Sequence, residues 1–117
     1  MLRAALVAGL VAGIFSASAS AQGVDCLASG RISLLSVQRQ QVSQGGAVSI
    51  NVLLQNTQST TQNFSVYYTG PARYAANNAP AQLSARQQRT QWVATMDVGG
   101  NTLPDDVIRS YLRLSCF

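Results

Sequence analysis

The sequence contains no His, no Lys and no Glu: every cation is Arg and all four acids are Asp. Without His, nucleophilic catalysis of the Ser-His or Cys-His kind is excluded, and without Lys so is a Ser-Lys pair. Paired carboxylates of the glycosidase type have only Asp105 and Asp106 close together, and neighbours on a regular element point apart. Asp in such places reads as a cap or turn residue. The expectation is a protein that is not an enzyme.

Cysteine is equally scarce. Cys26 and Cys116, with no His to join them, leave a tetrahedral zinc site half empty. Asp97, Asn101, Asp105 and Asp106 gather oxygens within ten residues but lack the alternate spacing of a calcium loop. No Gly-rich phosphate loop is present, and Gly99-Gly100 reads as a hairpin signal. Neither a metal nor a cofactor is expected.

Long apolar runs are missing except at the start. Arg3 followed by the uncharged stretch Ala4 to Phe15 and then Ala19-Ser20-Ala21 has the order of a secretory signal, residues 1–21, with Ala17-Ser18-Ala19 as an earlier cleavage site. The run is shorter than the ~20 residues a spanning helix needs. It ends in Ser and Ala without a basic flank, so no membrane span is expected after cleavage. Cys26 is not preceded by the apolar and small residues that precede a lipidated cysteine. Residues 22–117 then form one domain, too short for two. Loss of Arg3 lowers the formal charge from +4 to +3. An Ala-rich chain with Arg as sole cation fits a GC-rich bacterial genome, and the periplasm or the cell surface is the expected destination.

An oxidising compartment permits a Cys26–Cys116 disulfide, the one intramolecular pairing available. A loop closed over nearly the whole domain stabilises by at most about 4 to 5 kcal/mol in the chain-entropy picture. For so small a domain that rivals the net stability.

What the chain does have is alternation. Val48, Ile50, Val52 and Leu54 share one face, with Ser49, Asn51 and Gln55 on the other and Leu53 the one large apolar residue there. Phe64, Val66 and Tyr68 alternate with Ser65, Tyr67 and Thr69; Trp92, Ala94, Met96 and Val98 with Gln91, Val93, Thr95 and Asp97. Ile108, Leu112, Leu114 and Cys116 alternate with Arg109, Tyr111, Arg113 and Ser115 as a last strand. Arg31 to Val37 is an earlier strand whose register Leu34-Leu35 blurs. Turns are expected at Ser43 to Gly46, Asn56 to Gln62 and Val98 to Asn101. Gly70 to Pro80 is a longer connection with a short edge strand around Ala72 to Ala75, and Leu103 to Asp106 is a helical turn. The pattern predicts an all-β fold: a small antiparallel β-sandwich or barrel, with an Ig-like sandwich preferred. It departs from antibody domains, because its cysteines sit at the chain ends and its only Trp comes late.

On this scheme Arg109, Tyr111 and Arg113 make a stripe along the outer face of the last strand, with Arg86 and Arg89 near it. Such a stripe can hold an acidic protein partner or an acidic surface polymer. It is equally an ordinary solvated sheet face. It is not the dense basic cluster of a nucleic-acid binder. Tyr67, Tyr74 and Trp92 are the candidates for sugar stacking; Trp92 falls on the core face, and Tyr67, outward beside Gly70-Pro71, is the better ligand candidate. Gln and Asn, concentrated in Gln38 to Gln44, Gln55 to Asn63 and Gln82 to Gln91, could form ladders between stacked strands. No unit repeats, which argues against a fibre-forming subunit.

Leu83-Ser84-Ala85-Arg86-Gln87, an alternating strand, Leu103-Pro104-Asp105-Asp106 and a final strand together form the C-terminal third. In that layout, in size and in export the chain resembles the small Ig-like periplasmic accessory proteins of the curli system. The resemblance implies binding of unfolded fibre subunits and restraint of premature amyloid. The Cys-x-Cys pair of one branch of that family is missing here. The expected function is therefore a non-enzymatic envelope interaction protein (accessory, chaperone-like or inhibitory). The alternative is a carbohydrate-binding or adhesive module using Tyr67 and the Gly70 to Pro80 loop.

Overall fold

Alternating apolar residues bury one face of each strand, and two sheets close over them. The structure is a computed structural model describing residues 23–41, 46–97 and 103–117. The expected leader and the turns at Ser43 to Gly45 and Val98 to Asn101 lie outside those residues. The described elements are β1 (Val24–Asp25), β2 (Ile32–Gln41), β3 (Val48–Asn56), β4 (Gln62–Tyr68), β5 (Tyr74–Ala75), β6 (Ala79–Leu83), β7 (Gln88–Met96), α1 (Asp105–Tyr111) and β8 (Leu112–Cys116). One sheet has the order β1-β8-β4-β6 and the other β2-β3-β7-β5, with every pairing antiparallel. The chain is a small all-β sandwich.

Val48, Ile50, Val52 and Leu54 on β3 face Phe64, Val66 and Tyr68 on β4 across the core, all buried. Fully burying side chains of this size contributes about 1.5–3 kcal/mol each. Leu53 is half-buried on the outer set. The Leu34-Leu35 ambiguity becomes a bulge between Leu34 and Ser36, which leaves Leu35 exposed.

Three local expectations are corrected. The first is the last strand, which begins at Leu112 and not at Ile108. Pro104, extended at φ −63° and ψ 156°, caps the helix α1, and its carbonyl accepts from the Val107 and Ile108 N–H groups. Asp105 and Asp106 complement the helix dipole in the first turn. Ile108 and Leu112 are four apart, a spacing that serves helix and strand alike. Alternation alone could not separate the two.

The second correction is Trp92, which lies outside the core at 37% exposure. A bulge between Ile50 and Asn51 pairs Asn51 with Trp92 and Ile50 with Ala94, and Val93 takes the buried place. The third is the stretch from Gly70 to Pro80, which is no simple loop. It holds the expected edge strand as β5 and also leads into β6, which pairs with β4 from Val66↔Ala79 to Gln62↔Leu83. Pro80 is tolerated there because β6 is an edge.

Cys26 and Cys116 are joined in a disulfide, fully buried, with Cα atoms 5.3 Å apart. The Cys26 N–H also donates to Leu114 O at 2.9 Å, so β1 and β8 are held both by backbone and by sulfur. A buried disulfide is typical of oxidising compartments. Among the described residues no helix is long and apolar enough to cross a membrane.

Candidate functional site

The expected Arg/Tyr stripe divides into three places once the last strand is shortened. Arg113 stays on the outer face of β8, directly opposite Tyr67 of β4 in the register. Arg109 lies on α1 and lines a separate cleft of about 310 Å³ with Leu27, Ile32 and Leu34. Tyr111, the last residue of α1, turns inward and meets Tyr68 edge-to-face at 5.8 Å between ring centroids. Arg86 lies in the β6–β7 turn at φ 63°, where its guanidinium donates to Thr57 O.

Around Tyr67 and Arg113 the outer face of β1-β8-β4-β6 forms a groove of about 790 Å³. It is lined by Ser65, Thr69 and Ser115 and by Val24 and Phe117, the last two 40% and 64% exposed. The Tyr67 hydroxyl donates to Asn78 Oδ1 at 3.0 Å. Asn78 sits at φ 55°, a left-handed position that Asn tolerates, and this aims its side chain at the phenol. Tyr67 is thereby fixed and half-buried.

Arg113 is the cation among the residues that line the groove, and it enters neither of the ion pairs found among the described residues. Asp25 lines it too, but its Oδ1 accepts from the Leu27 and Ala28 N–H groups, both at 3.0 Å. The ion pairs among the described residues lie elsewhere: Arg39 with Asp105 at 2.8 Å, and Arg73 with Asp97. Two of the four oxygen donors considered for calcium, Asp97 and Asp105, are therefore engaged with guanidinium groups; Asn101 lies outside the described residues. Among the described residues no three Cys, Asp, His or Glu gather where a metal would sit.

Val24, Asn78 and Phe117 were not legible as site residues. Val24 and Phe117 join Tyr67 only because the chain's start pairs with its last strand (Val24↔Cys116) and that strand pairs with β4. Gly23 permits this approach: at φ 77° a β-carbon there would overlap the Cys116 carbonyl oxygen. Only the Asn77-Asn78 turn signal carried a local hint of the third.

No protein-family model matches the chain, and no curated protein or solved structure is significantly similar to it.

Proposed function

We propose that the chain is a non-enzymatic, exported interaction protein that holds an extended polypeptide partner in the Tyr67–Arg113 groove. The observation that carries this reading is the composition of the groove: a fixed Tyr, an Arg that is in no ion pair among the described residues, and an exposed Phe on one face. Tyr, Arg and Phe are the residue types enriched where proteins bind one another. Arg113 selects a partner segment with a carboxylate. The resemblance to curli accessory proteins offers an unfolded fibre subunit as that partner.

An Ig-like topology is part of this proposal. The order β2-β3-β7-β5 parallels the A-B-E-D sheet, and β8 beside β4 parallels the F-C pair. The place of the last Ig strand beside β8 is taken by β1 from the start of the chain. Periplasmic or surface localisation belongs to the same reading, supported by the buried disulfide.

A photoreactive residue at Ser65 should cross-link one partner in periplasmic extract. The Tyr67→Ala, Arg113→Ala double variant should lose it, and Arg109→Ala should keep it, since Arg109 lies in another cleft. A cross-link that survives the double variant removes the proposed site. The carbohydrate-binding alternative would stack a sugar on the Tyr67 ring, which the hydroxyl bond to Asn78 holds in place. The opposite sheet face carries further exposed aromatic rings.

A further inference from the structure

The outer face of the β2-β3-β7-β5 sheet carries the only Trp in the sequence, and that Trp is exposed. It lies outside the buried core. Val93 already fills the buried position, and the bulge beside it turns Trp92 outward. Bulges commonly re-aim one side chain in this way.

The register places other groups around the ring. Gln38, Asn51 and Trp92 form one row across β2, β3 and β7. The next row runs from Gln40 through Ser49 and Thr95 to Tyr74 on β5. Tyr74 is 64% exposed. Trp92 Nε1 donates to Thr95 Oγ1 at 3.1 Å, which steadies the indole while its ring remains in part open to solvent.

Neither row contains a charge. The charged residues of these strands, Arg39 and Arg89, are the register partners of the buried Ile50 and Leu54 and so belong to the other face. Arg73, next to Tyr74, is neutralised by Asp97. The face thus presents two exposed aromatic rings among amides and hydroxyls, in two rows that hold no charged residue. Charge matching favours an uncharged ligand, and amides and hydroxyls both donate and accept, as sugar hydroxyls require. The C–H face of a pyranose is apolar and stacks on an aromatic ring, whereas an acidic ligand would meet only Arg73, which is already paired with Asp97.

We propose that this face is a binding platform for a neutral glycan chain, with Trp92 and Tyr74 stacking on sugar rings and Gln38 and Asn51 bonding their hydroxyls. The site is separate from the Tyr67–Arg113 groove and takes a different class of ligand.

Because Trp92 is the sole tryptophan, its fluorescence reports the site directly. The disulfide-bonded protein should show a saturable change in emission with cellohexaose, chitohexaose or both, and the pair identifies which sugar the platform takes. It should also be retarded in gels containing hydroxyethyl cellulose or glycol chitin. Tyr74→Ala should weaken binding about tenfold, and Trp92→Ala should abolish the retardation, while Trp92→Phe retains part of it. Tyr67→Ala with Arg113→Ala should leave glycan binding unchanged and far-UV dichroism checks that each variant folds. The proposal is overturned by no response to either sugar, by retardation that survives Trp92→Ala in a folded variant, or by a concentration-dependent emission shift without glycan, which would assign the face to a second copy of this chain.

Discussion

At the scale of single residues, burial separates side chains that the alternation pattern treated alike. Trp92 and Val93 are neighbours, and the bulge decides which of them enters the core. Trp92→Ala should therefore cost less than about 1.5 kcal/mol in urea denaturation, where a core tryptophan costs ~3–5 kcal/mol. A loss of the larger size would return Trp92 to the core. Tyr68 is the converse case, a phenol driven inward by its phase on β4. Its hydroxyl is buried without a hydrogen-bond partner among the described residues, and burial, with Tyr111 second, raises its pKa above the ordinary 10.0. The native state thus holds this proton more tightly than the unfolded chain. The corresponding stability is complete below pH 10.0 and is lost as pH rises through the raised value. Tyr68→Phe should leave the fold as stable or stabilise it by about 1 kcal/mol at neutral pH, and should make the alkaline fall in melting temperature shallower. An unchanged alkaline slope would argue that Tyr68 does not carry it.

At the scale of elements, α1 is the piece that sequence periodicity misread, and it reshapes the site. Once residues 105–111 coil, Arg109 and Tyr111 leave the face that Arg113 shares with Tyr67. The helix is held against β2 by Arg39, whose guanidinium bridges Asp105 Oδ1 at 2.8 Å and Leu103 O at 2.5 Å. Arg39→Ala should destabilise by about 1–2 kcal/mol, because the part-buried Leu103 carbonyl loses its donor. Asp105→Asn should cost no more than about 0.5 kcal/mol, since that carboxylate is largely exposed. Equal losses from both would mean that the ion pair, and not the carbonyl bond, docks the helix. At the other end of α1, Tyr111 lies over Gly70, where a β-carbon would overlap the Tyr111 ring. Gly70→Ala should lower the melting temperature, and adding Tyr111→Ala should relieve part of that loss, as contacting residues do not act additively. The helical turn was legible at Pro104-Asp105-Asp106. Its length was not.

For the whole molecule, two devices tie distant parts of the chain together. One is Asn56, fully buried, whose Nδ2 donates to Thr60 O, Leu83 O and Ser84 O while its Oδ1 accepts from the Gln58 N–H at 3.0 Å. It binds the β3–β4 turn to the end of β6. Asn56→Ala should cost about 2–4 kcal/mol, measured by chemical denaturation, because several buried groups lose their partner at once. The other is the Cys26–Cys116 bridge, which clamps β1 to β8 over a separation of 90 residues. Its reduction should lower stability by up to about 4 kcal/mol, read from the urea midpoint with and without dithiothreitol. Free thiols in the exported protein, found by mass spectrometry, would contradict a structural role.

The sequence by itself determined the fold class, the inward faces of β3 and β4, and the available disulfide. Period-two burial and a two-cysteine count are local or combinatorial facts, and they need no knowledge of which strands meet. Only the tertiary structure decided the bulge at Val93, the helix at residues 105–111, and the company each functional candidate keeps. Those outcomes depend on register between strands far apart in the chain. A shift of one residue moves a side chain to the opposite face. That is why Tyr67 finds Arg113 and Phe117, and why Trp92, assigned to the core by its phase, lies partly open to solvent and bonded to Thr95.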